Sequence, residues 1–258
     1  MTNEHTTENG RTCVDVQDIC KSFGDHDVLK GISFSVRRGE IFVIMGPSGS
    51  GKSVLLKHLV GLEHPSSGQV TIDGHEITSP ELLSKYRIAM VFQSCALLSS
   101  LTVSENVGLY LREHRLKPPE EIDRIVSEKL ALVGLADTEH KTPTQLSGGM
   151  KKRVAIARAL VMDPQLILYD EPTSELDPLI SVTIGEEIVK MRDETGATSV
   201  VVTHDREMGF GIADRMAILR DGEILTMGTP DEVRNCDKEE VQKFLNASFQ
   251  RKEKKPAL

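Results

Sequence analysis

The sequence predicts an α/β protein built on a parallel sheet, with an antiparallel β subdomain and an inserted helical subdomain. Three observations carry this. Ile41-Phe42-Val43-Ile44-Met45, Leu166-Ile167-Leu168-Tyr169 and Ser199-Val200-Val201-Val202 are short, nearly continuous apolar runs, as strands buried on both faces should be. A helical stretch from about Leu179 to Glu194 separates the last two, which is the βαβ arrangement. Gly31-Ile32-Ser33-Phe34-Ser35-Val36 alternates apolar and polar residues instead, the mark of a half-buried antiparallel strand.

The remaining elements follow in order. Val54 to Val60 reads as a helix directly after the glycine-rich turn that closes the Ile41–Met45 strand. Gln69-Val70-Thr71-Ile72 runs into Asp73-Gly74, a favoured hairpin dipeptide. Arg87 to Phe92 is a further apolar strand. From Ser94 to about Val161 the pattern turns helical, with Val126, Leu130, Leu132 and Val133 broadly at helix spacing. Asp221-Gly222 turns a last pair of short strands, Met216–Leu219 and Glu223–Thr226. The expected organisation is one domain over 12–247. Its core comprises 12–93 and 162–247, the helical subdomain spans about 94–161, and flexible tails cover 1–11 and 248–258. The second tail holds Arg251, Lys252, Lys254 and Lys255 against Glu253, read as a solvated end rather than a lipid contact.

Composition narrows the function classes. A chain of 258 residues with 39% hydrophobic content is long enough for one large core or two lobes. Lys+Arg 31 against Asp+Glu 39 gives −8, which argues against a dedicated nucleic-acid binder. No apolar run approaches the roughly 18 residues of a membrane span, and Met1 to Gly10 lacks a signal-peptide pattern. Cys13, Cys20, Cys95 and Cys236 show no metal-ligand spacing and are too sparse for a disulfide framework, so a reducing cytosol is expected.

Gly46-Pro47-Ser48-Gly49-Ser50-Gly51-Lys52-Ser53 fits G-x-x-x-x-G-K-[ST], the loop that cradles nucleotide phosphates. Its glycines let successive backbone N–H groups point inward at an anion. Lys52 supplies positive charge toward the β/γ oxygens, and the Ser53 hydroxyl is placed to coordinate Mg²⁺. Val54 then opens a helix whose N-terminus faces the phosphates. Leu166–Tyr169 ends in Asp170-Glu171-Pro172. A carboxylate at that strand end holds Mg²⁺ in such enzymes, which assigns Asp170, while Glu171 can polarise an attacking water. In Leu146-Ser147-Gly148-Gly149-Met150, Ser147 is a good N-cap and the two glycines leave amides free at a helix N-terminus, an anion site.

Leu146-Ser147-Gly148-Gly149 closely resembles the signature of ATP-binding cassette (ABC) ATPases, with Met150 where Gln is usual. The resemblance runs from about Val14 to Leu245, with its motifs in the family's order. Gln93 in Val91-Phe92-Gln93 matches the Q-loop, Asp170 and Glu171 the Walker B pair, and Ser174-Glu175-Leu176-Asp177 the D-loop. His204 in Val202-Thr203-His204-Asp205 matches the switch histidine, and Phe23 falls where the family stacks an aromatic on adenine. The resemblance implies an ATPase that uses ATP and Mg²⁺, with Lys52, Gln93, Glu171 and His204 catalytic and Ser53, Gln93 and Asp170 around the metal. It implies nucleotide contacts from Phe23, Gly46, Pro47, Ser48, Gly49, Ser50, Gly51, Lys52, Ser53 and Val54. Ser147, Gly148 and Gly149 would close the site of a second copy in a head-to-tail ATP-sandwich dimer.

It further implies an integral membrane permease as partner, contacted through the helical subdomain, on the cytoplasmic face of the inner membrane. No nucleic-acid partner is expected. Leu-Ser-Gly-Gly-Met before basic residues, and the segment Phe92 to Val107, resemble cassettes of bacterial phospholipid trafficking. Those work with mammalian-cell-entry-type substrate-binding proteins. That group usually has Gly at Cys95, and Gly or Ala at Glu175. Asp170–Pro178 also resembles polar amino-acid importer cassettes, which stays as the alternative. A chromosome or repair ATPase would need a long coiled coil between Ser53 and Leu146, and no sustained heptads occur there. Leu97, Leu98 and Leu101 are expected to leave an apolar patch for the permease unless the core covers them.

Overall fold

Two sheets organise the computed structural model, which describes residues 12–246. Both expected tails lie outside the described residues. The chain begins with the antiparallel pair β1 (Thr12–Phe23) and β2 (His26–Arg37), then enters β3 (Ile41–Met45) and α1 (Lys52–Leu59). After β4 (Ser67–Ile72), β5 (His75–Glu76) and α2 (Pro80–Lys85), β6 (Ile88–Val91) returns to the centre. Next come α3 (Val103–Glu113), α4 (Pro119–Leu132) and α5 (Gly148–Leu160). The rest alternates: β7 (Leu166–Asp170), α6 (Pro178–Thr195), β8 (Thr198–Thr203), α7 (Arg206–Ile212), β9 (Arg215–Arg220) and β10 (Glu223–Gly228). Helices α8 (Pro230–Arg234) and α9 (Glu239–Leu245) follow.

One sheet has the order β2-β1-β4-β5 and is antiparallel; the other runs β10-β9-β3-β8-β7-β6. In the second, β9, β3, β8, β7 and β6 are parallel and β10 is an antiparallel edge. The continuous apolar runs are explained by period two. In β3, Ile41, Val43 and Met45 enter a core shared with α3 to α7, while Phe42 and Ile44 enter a second core shared with α1 and the antiparallel sheet. In β7, Ile167 and Tyr169 divide from Leu166 and Leu168 in the same way. Phe34 of β2 stacks on Phe42 of β3 at 5.2 Å and 6°, joining the two sheets.

The sequence pattern located the central strands and missed β1. That strand is bulged: its register with β2 shifts between Val16 and Ile19, and Asp18 sits at φ 49. Bulges break the alternation by which a half-buried strand is recognised. Short α2, α7, α8 and α9 were also unread, being too brief for a helical period.

The stretch 94–102 is not helical, contrary to the pattern read from Ser94 onward. Cys95 and Ala96 adopt φ 62 and 46, and helix begins only at Val103, where Thr102 and Glu105 form a reciprocal cap. Asn106, fully buried, holds this stretch. Its amide oxygen accepts from Leu98 N at 2.8 Å, and its amide nitrogen donates to the carbonyls of Leu98, Leu101 and Thr102. The expected patch of three leucines is corrected accordingly. Leu97 packs against the core, Leu101 is half-buried, and Leu98 alone is exposed, at 47%. Asn106→Ala removes the side-chain partner of Leu98 N and of the Leu101 carbonyl, while the Leu98 and Thr102 carbonyls keep backbone donors in Leu101 N and residue 106 N. Unfolding is therefore expected about 1–3 kcal/mol easier, measured by denaturant titration.

Candidate functional site

The parallel register brings the motif residues to one end of the sheet. Met45 lies opposite Thr203, and Asp170 opposite Val202, so β3, β8 and β7 end side by side. The loop Gly46–Gly51 leaves β3 there, Asp170 and Glu171 close β7, and His204 follows β8. Ligands of open α/β sheets bind outside these carboxyl ends. The loop needs its first glycine: a Cβ at Gly46 would sit 2.0 Å from the Leu219 carbonyl oxygen. Gly51 is the N-cap of α1 at φ 101, and no acidic side chain occupies that helix's first turn. The helix end therefore presents unpaired N–H groups and positive dipole to the cleft. Ser50 Oγ is buried beside it without a hydrogen-bond partner among the described residues, a polar atom available to a ligand.

Lys52 and Glu171 meet across this edge. Lys52 Nζ donates to the carbonyls of Gly46 at 2.9 Å and Pro47 at 3.0 Å, and lies 3.2 Å from Glu171 Oε1. Their side chains are 5% and 8% exposed, so the pair is shielded from water. Glu171 Oε2 accepts from the His204 backbone N at 3.1 Å and lies 2.8 Å from His204 Nδ1. Glu171 itself sits at φ 46, a left-handed conformation uncommon for a residue with a Cβ. One carboxylate thus stands between the ammonium and the half-exposed imidazole.

Ser53 Oγ donates to Asp170 Oδ1 at 2.8 Å. Burial pushes the Asp170 carboxyl above its ordinary pKa; the Ser53 hydrogen bond and Lys52 oppose that shift, while Glu171 adds to it. A half-buried hydroxyl and a buried carboxylate form a hard oxygen pair. Such a pair fits Mg²⁺, which takes one or two protein oxygens and completes its shell with phosphate and water. No cluster of three or more His, Cys, Asp or Glu suited to a metal occurs among the described residues.

A cleft of about 430 Å³ is lined by Ser48, Gly49, Gly51, Lys52, Ser53 and Val54 of the loop and α1, with Gln93, Glu171 and His204 opposite. His26 and Val28 of β2 line it too, which sequence reasoning missed because a half-buried strand carries no site signature. Phe23 is not among the lining residues; it ends β1, 49% exposed, with Lys21 Nζ 4.9 Å from its ring centre. Ser147, Gly148 and Gly149 do not line this cleft either. Ser147 caps α5, accepting from Met150 N at 3.3 Å, and Gly149 has no room for a Cβ, which would fall 2.6 Å from Ile180. Gly148 lines a second cavity of about 610 Å³ with Asp170, Glu175 and Leu176. Gln93 lines both cavities. Glu175, at φ 65, is exposed there.

Lys152 was also missed. It lies in the second turn of α5 and is 5% exposed, near Glu171 and Gln93. The signal was available: position 152 shares a helix face with Ile156 and Ala159, which are buried. A lysine at an inward position needs a reason.

Comparisons with known proteins bear on the family and the fold. The family model described as ABC transporter matches residues 29–174. The Arabidopsis thaliana protein TRIGALACTOSYLDIACYLGLYCEROL 3, chloroplastic, is 40% identical over 96% of this chain and 78% of its own length. The probable ribonucleotide transport ATP-binding protein mkl of Mycobacterium tuberculosis is 39% identical over 90% of this chain and 66% of its own length. This chain therefore spans just under two thirds of that relative. Among solved structures, cbiO1 from Clostridium perfringens, part of the ABC transporter complex cbiONQ, superposes with TM-score 0.79 at 34% identity, covering 90% of this chain and 94% of that one. A dimeric ATP-binding cassette in a post-hydrolysis state, bound to ADP and Pi, gives TM-score 0.75 at 35% identity over 84% and 98%.

Proposed function

The chain belongs to the ABC transporter family, as an ATP-hydrolysing subunit, and from that premise we propose that it powers a membrane complex moving phospholipid or a related hydrophobic cargo. The observation that carries the ATPase roles is the Glu171 carboxylate held between Lys52 and His204. In this reading Lys52 holds the β/γ oxygens, and Glu171 orients and activates the attacking water. His204 donates to the transferring phosphoryl group, and Ser53, Asp170 and Gln93 surround Mg²⁺. Loop residues Gly46 to Val54 cradle the phosphates, and Phe23 stacks on adenine.

The partner in this reading is a second copy, whose Ser147-Gly148-Gly149 loop closes the site over ATP. The separation of that loop from Lys52 within one chain supports it, since Gly148 lines a cavity other than the one holding Lys52. ATP then acts as the ligand that stabilises the closed dimer, and hydrolysis releases it. Among the described residues no helix is long and apolar enough to cross a membrane, and in this reading a permease supplies the path. The chain would act on the cytoplasmic face of the inner membrane, with a mammalian-cell-entry-type protein presenting cargo. A galactolipid in the Arabidopsis relative's name supports a lipid cargo. The alternative, a small-solute importer, is favoured by relatives named for sulfate/thiosulfate import and Fe(3+) import, at 40% and 41% identity.

Capture from detergent-solubilised membranes of the native host tests the complex. Wild type is expected to bring down an integral membrane protein, and Leu98→Glu to lose it while nucleotide binding survives. Recovery of no membrane protein by wild type ends the transport reading. Reconstitution of the captured complex tests the cargo. ATP-dependent transfer of labelled phospholipid between vesicles supports the lipid reading, and ATP-driven uptake of a polar solute instead supports the alternative.

A further inference from the structure

Lys152 on α5 is buried, yet its partners are not carboxylates. Its Nζ donates to the Gln93 carbonyl at 2.5 Å, the Glu171 carbonyl at 3.4 Å and the Ser174 hydroxyl at 3.3 Å. An ammonium has three N–H donors, and here each has an oxygen: one in the segment after β6 and two in the turn after β7. Burying a cation against neutral oxygens is costly, so the site is poor as a source of stability alone. What it does is geometric. It fixes the start of α5 to the segment after β6 and to the turn after β7 at one point.

A second cation on α5 completes the clamp. Arg158 donates to the carbonyls of Cys95 at 2.6 Å and Ala96 at 2.7 Å. These are the residues at φ 62 and 46, a left-handed pair without glycine. The segment 93–96 is therefore held at its first carbonyl by Lys152 and at its strained end by Arg158. Gln93, whose carbonyl Lys152 holds, lines both cavities. Glu171, whose carbonyl it also touches, is the carboxylate beside Lys52 and His204.

We propose that Lys152 is a positioning residue for ATP hydrolysis: with Arg158, it makes the signature helix, the Gln93 segment and the Glu171–Ser174 turn move as one body, so that Gln93 and Glu171 hold a single geometry. This rests on the ATPase roles proposed above. Lys152 touches no reacting atom, so its loss should change turnover rather than nucleotide affinity. Displacing a reactive group by about 1 Å can cost about 10²-fold in rate.

The test uses the full chain purified from its host, as wild type, Lys152→Met and Lys152→Arg. Lys152→Met keeps the aliphatic stem and removes every donor. Its kcat is expected to fall about 10- to 100-fold, while KM and calorimetric ATP affinity stay within about threefold. Lys152→Arg, which restores a cation with several donors, is expected to recover most of the loss. A kcat for Lys152→Met within about threefold of wild type overturns the proposal. So does a loss that tracks the unfolding midpoint and that Lys152→Arg fails to rescue. Should Lys152→Met not fold, Ser174→Ala removes one of the three oxygens, with about a threefold to tenfold fall in kcat expected and an unchanged kcat overturning the idea. A wild-type chain without ATP turnover overturns the ATPase roles themselves. An active wild type beside an equally active Lys152→Met overturns this inference alone.

Discussion

Replacing Glu171 with Gln is expected to lower ATP turnover by at least about 10²–10⁴-fold while nucleotide binding persists. The substitution keeps the length of the side chain and most of its polarity. It can still accept from the His204 backbone N, as Glu171 Oε2 now does at 3.1 Å. What disappears is the negative charge 3.2 Å from Lys52 and the capacity to take a proton from water. Lys52 keeps its carbonyl partners at Gly46 and Pro47, so the ammonium is not stranded when the carboxylate goes. Binding is therefore retained and the chemical step is lost. His204→Ala should slow turnover less steeply, because it removes a polar contact rather than the base. Steady-state ATPase assays on the purified complex decide this. Near-normal turnover in Glu171→Gln means that another residue activates water.

Lys52→Ala is expected to weaken ATP binding by roughly tenfold to a hundredfold, with the fold intact. A charge-assisted contact to phosphate contributes about 1.5–3 kcal/mol, which sets that range. The fold survives for local reasons. Lys52 opens α1, where Ala is a favourable helix former, and Glu171 keeps His204 as a partner. Isothermal calorimetry with ATP reads the affinity, and a thermal melt checks the fold. Equal affinity in mutant and wild type removes Lys52 from the binding site. The two variants separate binding from chemistry: one should lose affinity first, the other turnover.

Much of this molecule was legible as pattern. The apolar runs at 41–45, 166–169 and 199–202 became β3, β7 and β8 because a strand covered on both faces must be apolar at every position. Asp221-Gly222 turned β9 into β10, and Ser147 capped α5, since hairpin and cap preferences act over a few residues. What failed was pattern interrupted or too brief. Bulges hid β1, and a non-helical stretch held by Asn106 from inside the fold stood where helix was expected. The leucine patch failed for a related reason. Burial of Leu97 against the core depends on elements distant in sequence, so hydrophobicity alone could not separate it from Leu98.

The sequence by itself determined the elements that local chemistry dictates: the glycine loop before α1, the carboxylates closing β7, the cap and glycines opening α5. Tertiary structure decided which of them meet. Lys52, Glu171 and His204 follow three different strands, and only the order β3-β8-β7, with its parallel register, places them within one ion-pair distance of each other in turn. Tertiary structure alone likewise gave Lys152 its partners, because a lysine's helix face can be read from spacing but the oxygens that await it cannot. The physical reason is one of range. Propensity, capping and periodicity act within a turn or two of chain, whereas strand pairing and burial are settled between segments that the sequence holds far apart.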